Sequence, residues 1–339
     1  MWWALRMHCV WSAGRGRYKD TMTSLPNFAS PEAQIPAVQE LLKAAQRLET
    51  PCGNGVMVWH AWKPEQRLTA DTGLPPLVLF HGGSGSWTHW LANIGALVRS
   101  GREVYVPDLP GFGDSAAPLH GSDADALPQP VEDGLQMLLG DRRCDIVAFS
   151  FGSMVAGFIA EQFPARVAQL VLVGAPGLGI APQPLLQLRS WRHLTDTAAR
   201  DAVHRHNLGV LMLYRPEAIT ETALRLHVAN VERDRMKGRS LARTDVLLKT
   251  LASVHCPVSA IYGAEDVLYR GRMAELAGAL QKAPDFRGLK LLENVGHWVQ
   301  YEQPDAFNTA LLSALSAGRD GPTKSRHDAA GAGSLIIAE

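Results

Sequence analysis

A chain of 339 residues is long enough for one large α/β domain or two average ones, and its hydrophobic content of 46% supports a sizeable core. Lys plus Arg and Asp plus Glu each number 33, so the formal net charge is +0 and the basic excess of a nucleic-acid-binding surface is missing. No apolar run approaches the ~18 residues of a membrane span. The four cysteines, Cys9, Cys52, Cys144 and Cys256, are scattered, without a CxxC pair or a histidine at metal-ligand spacing. We therefore expect no metal, no disulfide framework and a reducing, cytoplasmic compartment.

The two ends of the chain differ from the rest in composition. The first residues show no helical or strand period and no signal-peptide cleavage site, and Met22 begins a stretch typical of a bacterial N-terminus. We expect residues 1–30 to be a disordered extension, with 1–21 upstream of the native start. The tail 316–339 is rich in Gly, Ala and charge, and it is also expected to be disordered.

Between these ends, strand and helix patterns alternate. Helical spacing of apolar residues predicts a helix over 32–49, and a strand over 55–64 follows it. Short, continuously apolar runs predict buried strands at 75–83, 103–111, 144–150, 167–177, 256–263 and 288–294. Helical periods predict helices at 87–101, 129–140, 151–164, 271–282 and 304–316. Short connections between alternating elements indicate a parallel sheet with helices on both faces.

This rhythm breaks once, over residues 180–250, where several helical stretches occur without a clear strand. The prediction is therefore an α/β domain in two parts, 31–179 and 251–315, with a helical cap inserted between them.

The strand at 144–150 ends on Ser150, in the frame Ala148-Phe149-Ser150-Phe151-Gly152. A tight strand-to-helix turn brings the backbone on either side of the serine close together, so only small residues fit at the two flanking positions. Such a turn exposes the serine Oγ as a nucleophile and leaves the amide of Phe151 free to bind an oxyanion. The alternative is an ordinary serine N-cap of the following helix.

The glycine-rich stretch 81–87, HGGSGSW, follows an earlier buried strand. Glycines let backbone N–H groups point into a cavity, so we predict the amide of Gly83 as a second oxyanion donor, with Ser84 as the other candidate. The stretch lacks the lysine and spacing of a phosphate-binding loop. A plain glycine-rich turn is the structural alternative, and His81 is expected to be structural.

The stretch 108–115 also follows a strand, but its Pro and Gly content favours turn geometry over catalysis by Asp108 or Asp114.

A nucleophilic serine needs a base, and the base needs an acid that orients it. Among the 12 histidines, His297 stands on a glycine-containing loop directly after a predicted strand. Asp266 follows another strand, with Glu265 as the alternative acid. All three residues then lie at the carboxyl edge of a parallel sheet, where such sheets bind ligands.

The stretches HGGSGS, DLPGFGDS, AFSFGS, YGAED and VGHW together resemble the α/β-hydrolase family over about residues 55–315. The resemblance implies a mostly parallel eight-stranded sheet flanked by helices, with the helical cap above the active site. It also implies a catalytic triad of Ser150, Asp266 and His297, with no cofactor.

A narrower set of stretches is similar to the meta-cleavage-product hydrolases, which cut a C–C bond in ring-fission products of aromatic catabolism. These are GAPGLG (174–179), MLYRPEAITETAL (212–224) and VGHWVQYEQPDAFN (295–308). This likeness implies that Trp298 neighbours the substrate and that a cap arginine, Arg189 or Arg192, meets the substrate carboxylate. The alternative, which is more common for an arginine on a cap helix, is that these side chains are simply exposed on the surface.

Two interpretations are open for four of the tryptophans, which either line an aromatic substrate pocket or pack in the core. They are Trp87, Trp90, Trp191 and Trp298.

The sequence thus predicts a serine hydrolase of a small carbonyl substrate. Hydrolysis of a carboxylic ester through an acyl-enzyme is the first hypothesis, because it is the broadest activity of this scaffold. Hydrolysis of a C–C bond is the second. A non-enzymatic binding protein is the third, and it is disfavoured because all three triad residue types are present. Assembly into a homo-oligomer is left open.

Overall fold

A computed structural model describes residues 31–64, 73–180, 186–236 and 238–319. The expected extension at 1–30 and the residues from 320 onward lie outside these ranges. Eight strands form one sheet, in the order β1-β2-β4-β3-β5-β6-β7-β8. Their bounds are β1 Gln46–Cys52, β2 Gly55–Trp62, β3 Leu77–Phe80, β4 Val104–Pro107, β5 Cys144–Phe149, β6 Val167–Val173, β7 Val258–Gly263 and β8 Phe286–Leu292. From β4 to β8 neighbouring strands run parallel, whereas β1 and β2 are antiparallel additions at one edge.

Ten α-helices accompany these strands in the described ranges. They are α1 Pro36–Lys43, α2 Ile94–Arg99, α3 Pro128–Leu139, α4 Phe151–Gln162, α5 Thr197–Asn207, α6 Glu221–Glu232, α7 Val246–Leu251, α8 Met273–Leu280, α9 Val299–Glu302 and α10 Pro304–Ala317. The architecture is the one predicted, an eight-stranded, mostly parallel sheet flanked by helices.

The two faces of the sheet bury different hydrophobic clusters because successive strand residues point to opposite sides. Along β5, Ile146 and Ala148 belong to one cluster, while Val147 and Phe149 belong to the other. Helices α3, α4 and α8 cover the first face, and α2 and α10 cover the second. Burial on both faces explains why the central strands read as continuous apolar runs.

The predicted helix over 32–49 is wrong in its second half. Helix α1 covers only Pro36–Lys43, and the following residues form β1. Strand β1 pairs with β2 across a two-residue turn, with Cys52 opposite Gly55. Gly53 takes a φ of 56°, the left-handed conformation that such a hairpin turn requires. Hairpin pairing therefore overrides the helical spacing of the apolar residues.

Two other boundaries differ from the prediction. The predicted helix 87–101 is split into a 3₁₀ turn, Trp87–Trp90, and helix α2. The predicted disordered tail begins too early, because α10 continues to Ala317 and the Arg319 guanidinium donates to Asp145 at 3.1 Å.

Between β6 and β7 the described residues form helices α5, α6 and α7, two short 3₁₀ turns and a π-helical turn, Leu208–Met212. No helix in the described ranges is long and apolar enough to cross a bilayer.

Candidate active site

Ser150 stands between β5 and α4 in a strained conformation. Its φ is 50° and its ψ is −119°, a region that non-glycine residues rarely occupy. Two hydrogen bonds hold the turn: the Ser150 N–H donates to the Val173 carbonyl, and the Ser153 N–H donates to the Ser150 carbonyl, both at 2.8 Å. A Cβ atom at Gly152 would lie 2.5 Å from the His81 carbonyl oxygen. The small residue at 152 is therefore required by the close approach of the neighbouring strand end.

The structure brings together the three side chains that the sequence singled out. His297 Nε2 lies 2.9 Å from Ser150 Oγ, and His297 Nδ1 lies 2.8 Å from Asp266 Oδ2. His297 is 3% exposed and Asp266 is fully buried, so this chain of hydrogen bonds is shielded from water. Since each residue follows a different parallel strand, the order of β5, β7 and β8 in the sheet sets their spacing.

Both oxygens of the Asp266 carboxylate have hydrogen-bond partners that orient it. Its second oxygen, Oδ1, accepts the N–H of Leu268 at 3.0 Å, which leaves Oδ2 directed at the imidazole. Glu265, the alternative acid, instead faces Arg270 at 3.8 Å. The arrangement favours Asp266 as the partner of His297.

Two backbone amides are available as oxyanion donors. The N–H groups of Gly83 and Phe151 have no hydrogen-bond partner among the residues that the structure describes. Phe151 begins α4, where unpaired N–H groups and the helix dipole both favour negative charge.

A residue that the sequence analysis missed, Arg239, lies against the glycine loop. Its guanidinium is within 3.3 Å of where a Gly83 side chain would begin. Arg239 donates to Ser84 Oγ at 2.9 Å and also to Asp234, which accepts from Ser84 Oγ at 2.7 Å. Ser84 itself takes a φ of 48°. Burial lowers the pKa of Arg239 to about 10. The sequence shows only a run of alternating charges there, which does not distinguish a half-buried arginine from exposed ones.

The two arginines named from the sequence are exposed. The backbone N–H of Arg189 donates to Asn207, and the guanidinium of Arg192 stacks 5.0 Å from the Trp191 ring centroid. Within the residues that the structure describes, neither arginine side chain has an interaction with Ser150, Asp266 or His297.

Three of the four tryptophans named from the sequence are core residues. Trp87 and Trp298 are 3% and 1% exposed, and Trp90 is fully buried. Trp298 stacks on Tyr301, and its indole N–H donates to the His89 carbonyl at 3.0 Å. Trp191 is half-buried in the cap.

A cavity of about 410 Å³ opens beside His297. Cap residues 209–214 line one side, and Glu265, Val267 and Arg270 line the other. The lining mixes apolar residues with Gln187, Glu265 and Arg270, and Ser150, Gly83 and Phe151 are not part of it. In the described ranges, no three His, Cys, Asp or Glu side chains come together in a way that suits a metal ion.

This site geometry and fold are those of a hydrolase, and the family comparison agrees. A sequence model of the alpha/beta hydrolase family matches residues 77–310. The chain belongs to this family.

Similar proteins include hydrolases of two kinds. A 2-hydroxy-6-oxo-6-phenylhexa-2,4-dienoate hydrolase of Burkholderia cepacia is 27% identical over 259 residues, covering 71% of this chain and 88% of the relative. Among solved structures, the carboxylesterase CesB of Bacillus subtilis has a TM-score of 0.65 and 20% identity, over 82% of this chain and 95% of its own. The meta-cleavage product hydrolase CumD of Pseudomonas fluorescens has a TM-score of 0.61 and 22% identity, over 79% of this chain and 97% of its own. The two structural similarities concern the fold alone.

Proposed function

We propose that this protein is a serine hydrolase that cleaves a C–C bond beside a ketone in ring-fission products of aromatic compounds. The hydrogen-bonded series Ser150, His297 and Asp266 supports nucleophilic catalysis. The named relatives, which include dienoate hydrolases at 25–27% identity over 71% of this chain, support the kind of bond. The sequence alone favours ester hydrolysis over C–C hydrolysis, whereas these relatives favour C–C hydrolysis.

In the first step, His297 Nε2 takes the proton of Ser150 Oγ while the oxygen attacks the ketone carbon. Asp266 orients the imidazole and stabilises its protonated form. The amides of Gly83 and Phe151 stabilise the negative oxygen that forms, and losing one such donor typically costs ~10²–10³ in rate.

Before the attack the 2-hydroxydienoate is converted to its keto form, in which the proton of the enol O–H is replaced by one on the carbon next to the 6-ketone. In the second step, the bond between that carbon and the attacked carbon breaks, and its electron pair passes into the conjugated keto-acid part, which becomes a dienolate. That fragment accepts the proton from His297 and leaves, and an acyl group remains on Ser150. A water molecule, deprotonated by His297, then attacks the acyl carbon and releases a carboxylic acid and free Ser150.

A dienoate substrate carries a carboxylate, which a nearby cation stabilises. Arg239 lies beside Gly83, and its Nε atom is buried without a hydrogen-bond partner in the described part of the chain. Arg239 thus offers one free donor next to the oxyanion loop.

Carboxylic ester hydrolysis is the second candidate. The same nucleophile, base and oxyanion donors perform both reactions, because both pass through an acyl-enzyme. The two differ in the leaving group, which is an alkoxide in one and a stabilised carbanion in the other.

A fluorophosphonate probe tests the nucleophile first. We expect it to label the wild-type protein and the control Ser253→Ala, which changes an exposed serine, but not Ser150→Ala. Equal labelling of Ser150→Ala would refute the proposed chemistry for both candidates.

A substrate panel then separates the two candidates. We expect kcat/KM for a coloured 2-hydroxy-6-oxo-dienoate to exceed that for aryl and alkyl esters by at least ~10²-fold. Turnover of esters alone would reject the C–C proposal and leave the esterase.

A further inference from the structure

The glycine loop that precedes the proposed oxyanion donor is held by two buried histidines. The Gly82 carbonyl accepts a hydrogen bond from His81 Nδ1 at 2.7 Å, and the Gly82 N–H donates to His89 Nδ1 at 3.2 Å. Both backbone groups of the residue before Gly83 are therefore bonded to imidazoles.

These bonds define the proton positions on the two rings. His81 Nε2 accepts the N–H of Leu109 at 2.8 Å, so His81 carries its hydrogen on Nδ1. His89 must carry its hydrogen on Nε2, because its Nδ1 is the acceptor for Gly82. Burial, together with the nearby His81, His227 and His297, lowers the pKa of His89 well below its ordinary value, which keeps this ring neutral.

His89 also contacts the chain neighbours of the two catalytic side chains. Its ring packs edge-on against Phe149, the residue before Ser150, at 5.5 Å between centroids. It lies 4.9 Å from the ring of Trp298, the residue after His297, and its carbonyl accepts the Trp298 indole N–H. One residue thus touches the sequence neighbours of the nucleophile, the base and the oxyanion donor.

The glycine loop approaches this ring closely at Gly85. A Cβ atom at Gly85 would lie 2.3 Å from the His89 imidazole. The ring is 4% exposed and is carried by the short turn Trp87–Trp90, whose cap Ser86 donates to Asn230 in α6 at 2.7 Å. The position of His89 is therefore fixed from the core and from the cap.

We propose that His89 is a positioning residue for the oxyanion hole: its Nδ1 lone pair holds the N–H of the His81–Gly82 peptide. His81 holds the Gly82 carbonyl, which lies in the same peptide as the Gly83 N–H, and the two bonds together set the direction of the Gly83 amide. The inference rests on the proposed function, because it assumes that the Gly83 amide binds the oxyanion. His89 touches neither the nucleophile nor the substrate in this role. Its effect is transmitted through the loop backbone.

Two substitutions separate positioning from simple packing. In His89→Leu the side chain keeps its bulk but loses the acceptor, and we expect kcat to fall ~10²-fold with KM changed less than ~3-fold. In His89→Asn the Oδ1 atom can take the place of Nδ1, and we expect kcat within ~5-fold of the wild type. His120→Leu, at an exposed histidine, is the control.

A further measurement uses a trifluoromethyl ketone, which forms a tetrahedral oxyanion adduct with a serine nucleophile. Its affinity should fall with kcat in His89→Leu and recover in His89→Asn, whereas a purely structural defect would lower the melting temperature without this selective pattern. If His89→Leu does not fold, His89→Met replaces it, because it also fills the space without a nitrogen acceptor. The same selective loss of kcat in His89→Met supports the proposal.

Wild-type kcat in His89→Leu, or in His89→Met, would overturn the positioning role, and so would equal losses in the Leu and Asn variants. These outcomes are distinct from failure of the proposed function, in which the wild-type protein itself would not react with the fluorophosphonate probe at Ser150.

Discussion

The α/β core and the helical cap are built from different interactions. Helix α4, which begins after Ser150, buries ten of its 12 residues between the sheet and its neighbours. Helix α5 of the cap buries one of its 11 residues, His204. Helix α6 of the cap buries five of its 12 residues, and ion pairs add to these contacts, as where Arg225 of α6 binds Asp201 of α5.

This contrast divides the expected roles of the two regions. Close packing holds the core in one arrangement, which catalysis requires because reacting groups must be placed to a fraction of an ångström. Exposed charged pairs contribute little stability and are easily exchanged, so the cap can vary to suit different substrates. Changes in the core should therefore affect kcat, and changes in the cap surface should leave the chemistry intact.

The sharpest test of the core is His297→Ala. We expect kcat to fall at least ~10³-fold, because Ser150 Oγ loses the base 2.9 Å away. The melting temperature should stay within a few degrees of the wild type, since the strained turn at Ser150 is held by backbone bonds. His255→Ala, at an exposed histidine, is the matched control. Near-normal turnover in His297→Ala would remove this residue from the mechanism.

A second test concerns a charge that the core buries. Asp108 is 1% exposed and accepts the N–H groups of Trp87 and Asp114. Burial nevertheless raises the pKa of its carboxyl from 3.8 to about 7. Between these two pH values the folded protein binds more protons than the unfolded chain, so stability from this group is present at low pH and is lost as the pH rises.

Urea unfolding of the wild type and Asp108→Asn at pH 5 and pH 8 measures this effect. The stability of the wild type relative to the variant should decrease by on the order of 2–3 kcal/mol between the two pH values. Comparison with the variant cancels the other titrating groups. A difference that is the same at both pH values would show that Asp108 is ionised in the folded protein throughout this range.

The cap should respond much less. Arg225→Gln removes the pairs with Asp201 and Glu221, and the Arg225 side chain is 41% exposed. We expect the melting temperature to fall by less than ~3 °C and kcat to change less than ~2-fold. The difference in melting temperature should shrink in high salt, because salt screens exposed pairs. A loss of several-fold in kcat would show that the cap ion pairs and the catalytic geometry are coupled.

Local sequence patterns predicted much of this molecule. The apolar run ending at Ser150, with small residues at 148 and 152, placed a nucleophile at a strand end because a tight turn allows few residues there. His297 and Asp266 were chosen for the same reason, as polar residues directly after buried strands. Since the carboxyl ends of parallel strands meet at one edge, position along the chain was enough to group them.

Other features could not be predicted from the sequence, because they depend on contacts between distant segments. The helical spacing of the apolar residues before β1 continues to Leu48 inside it, and only pairing with β2 makes these residues a strand. Arg239 resembles its charged neighbours in the sequence, and it becomes notable only where the cap lies on Gly83 and Ser84. Arg189 and Arg192 have the same type of side chain, but in the fold they are exposed.

The sequence by itself therefore determined the fold class, the strand-end positions of Ser150, Asp266 and His297, and the small residues of the turn, because these follow from backbone sterics and burial within short segments. Only the tertiary structure decided the 2.8–2.9 Å spacing of the three side chains, the clamping of Gly82 between His81 and His89, and the arginine at the glycine loop. These contacts join residues far apart in the chain. The packing of the sheet, the loops and the cap sets their distances, and no local pattern encodes it.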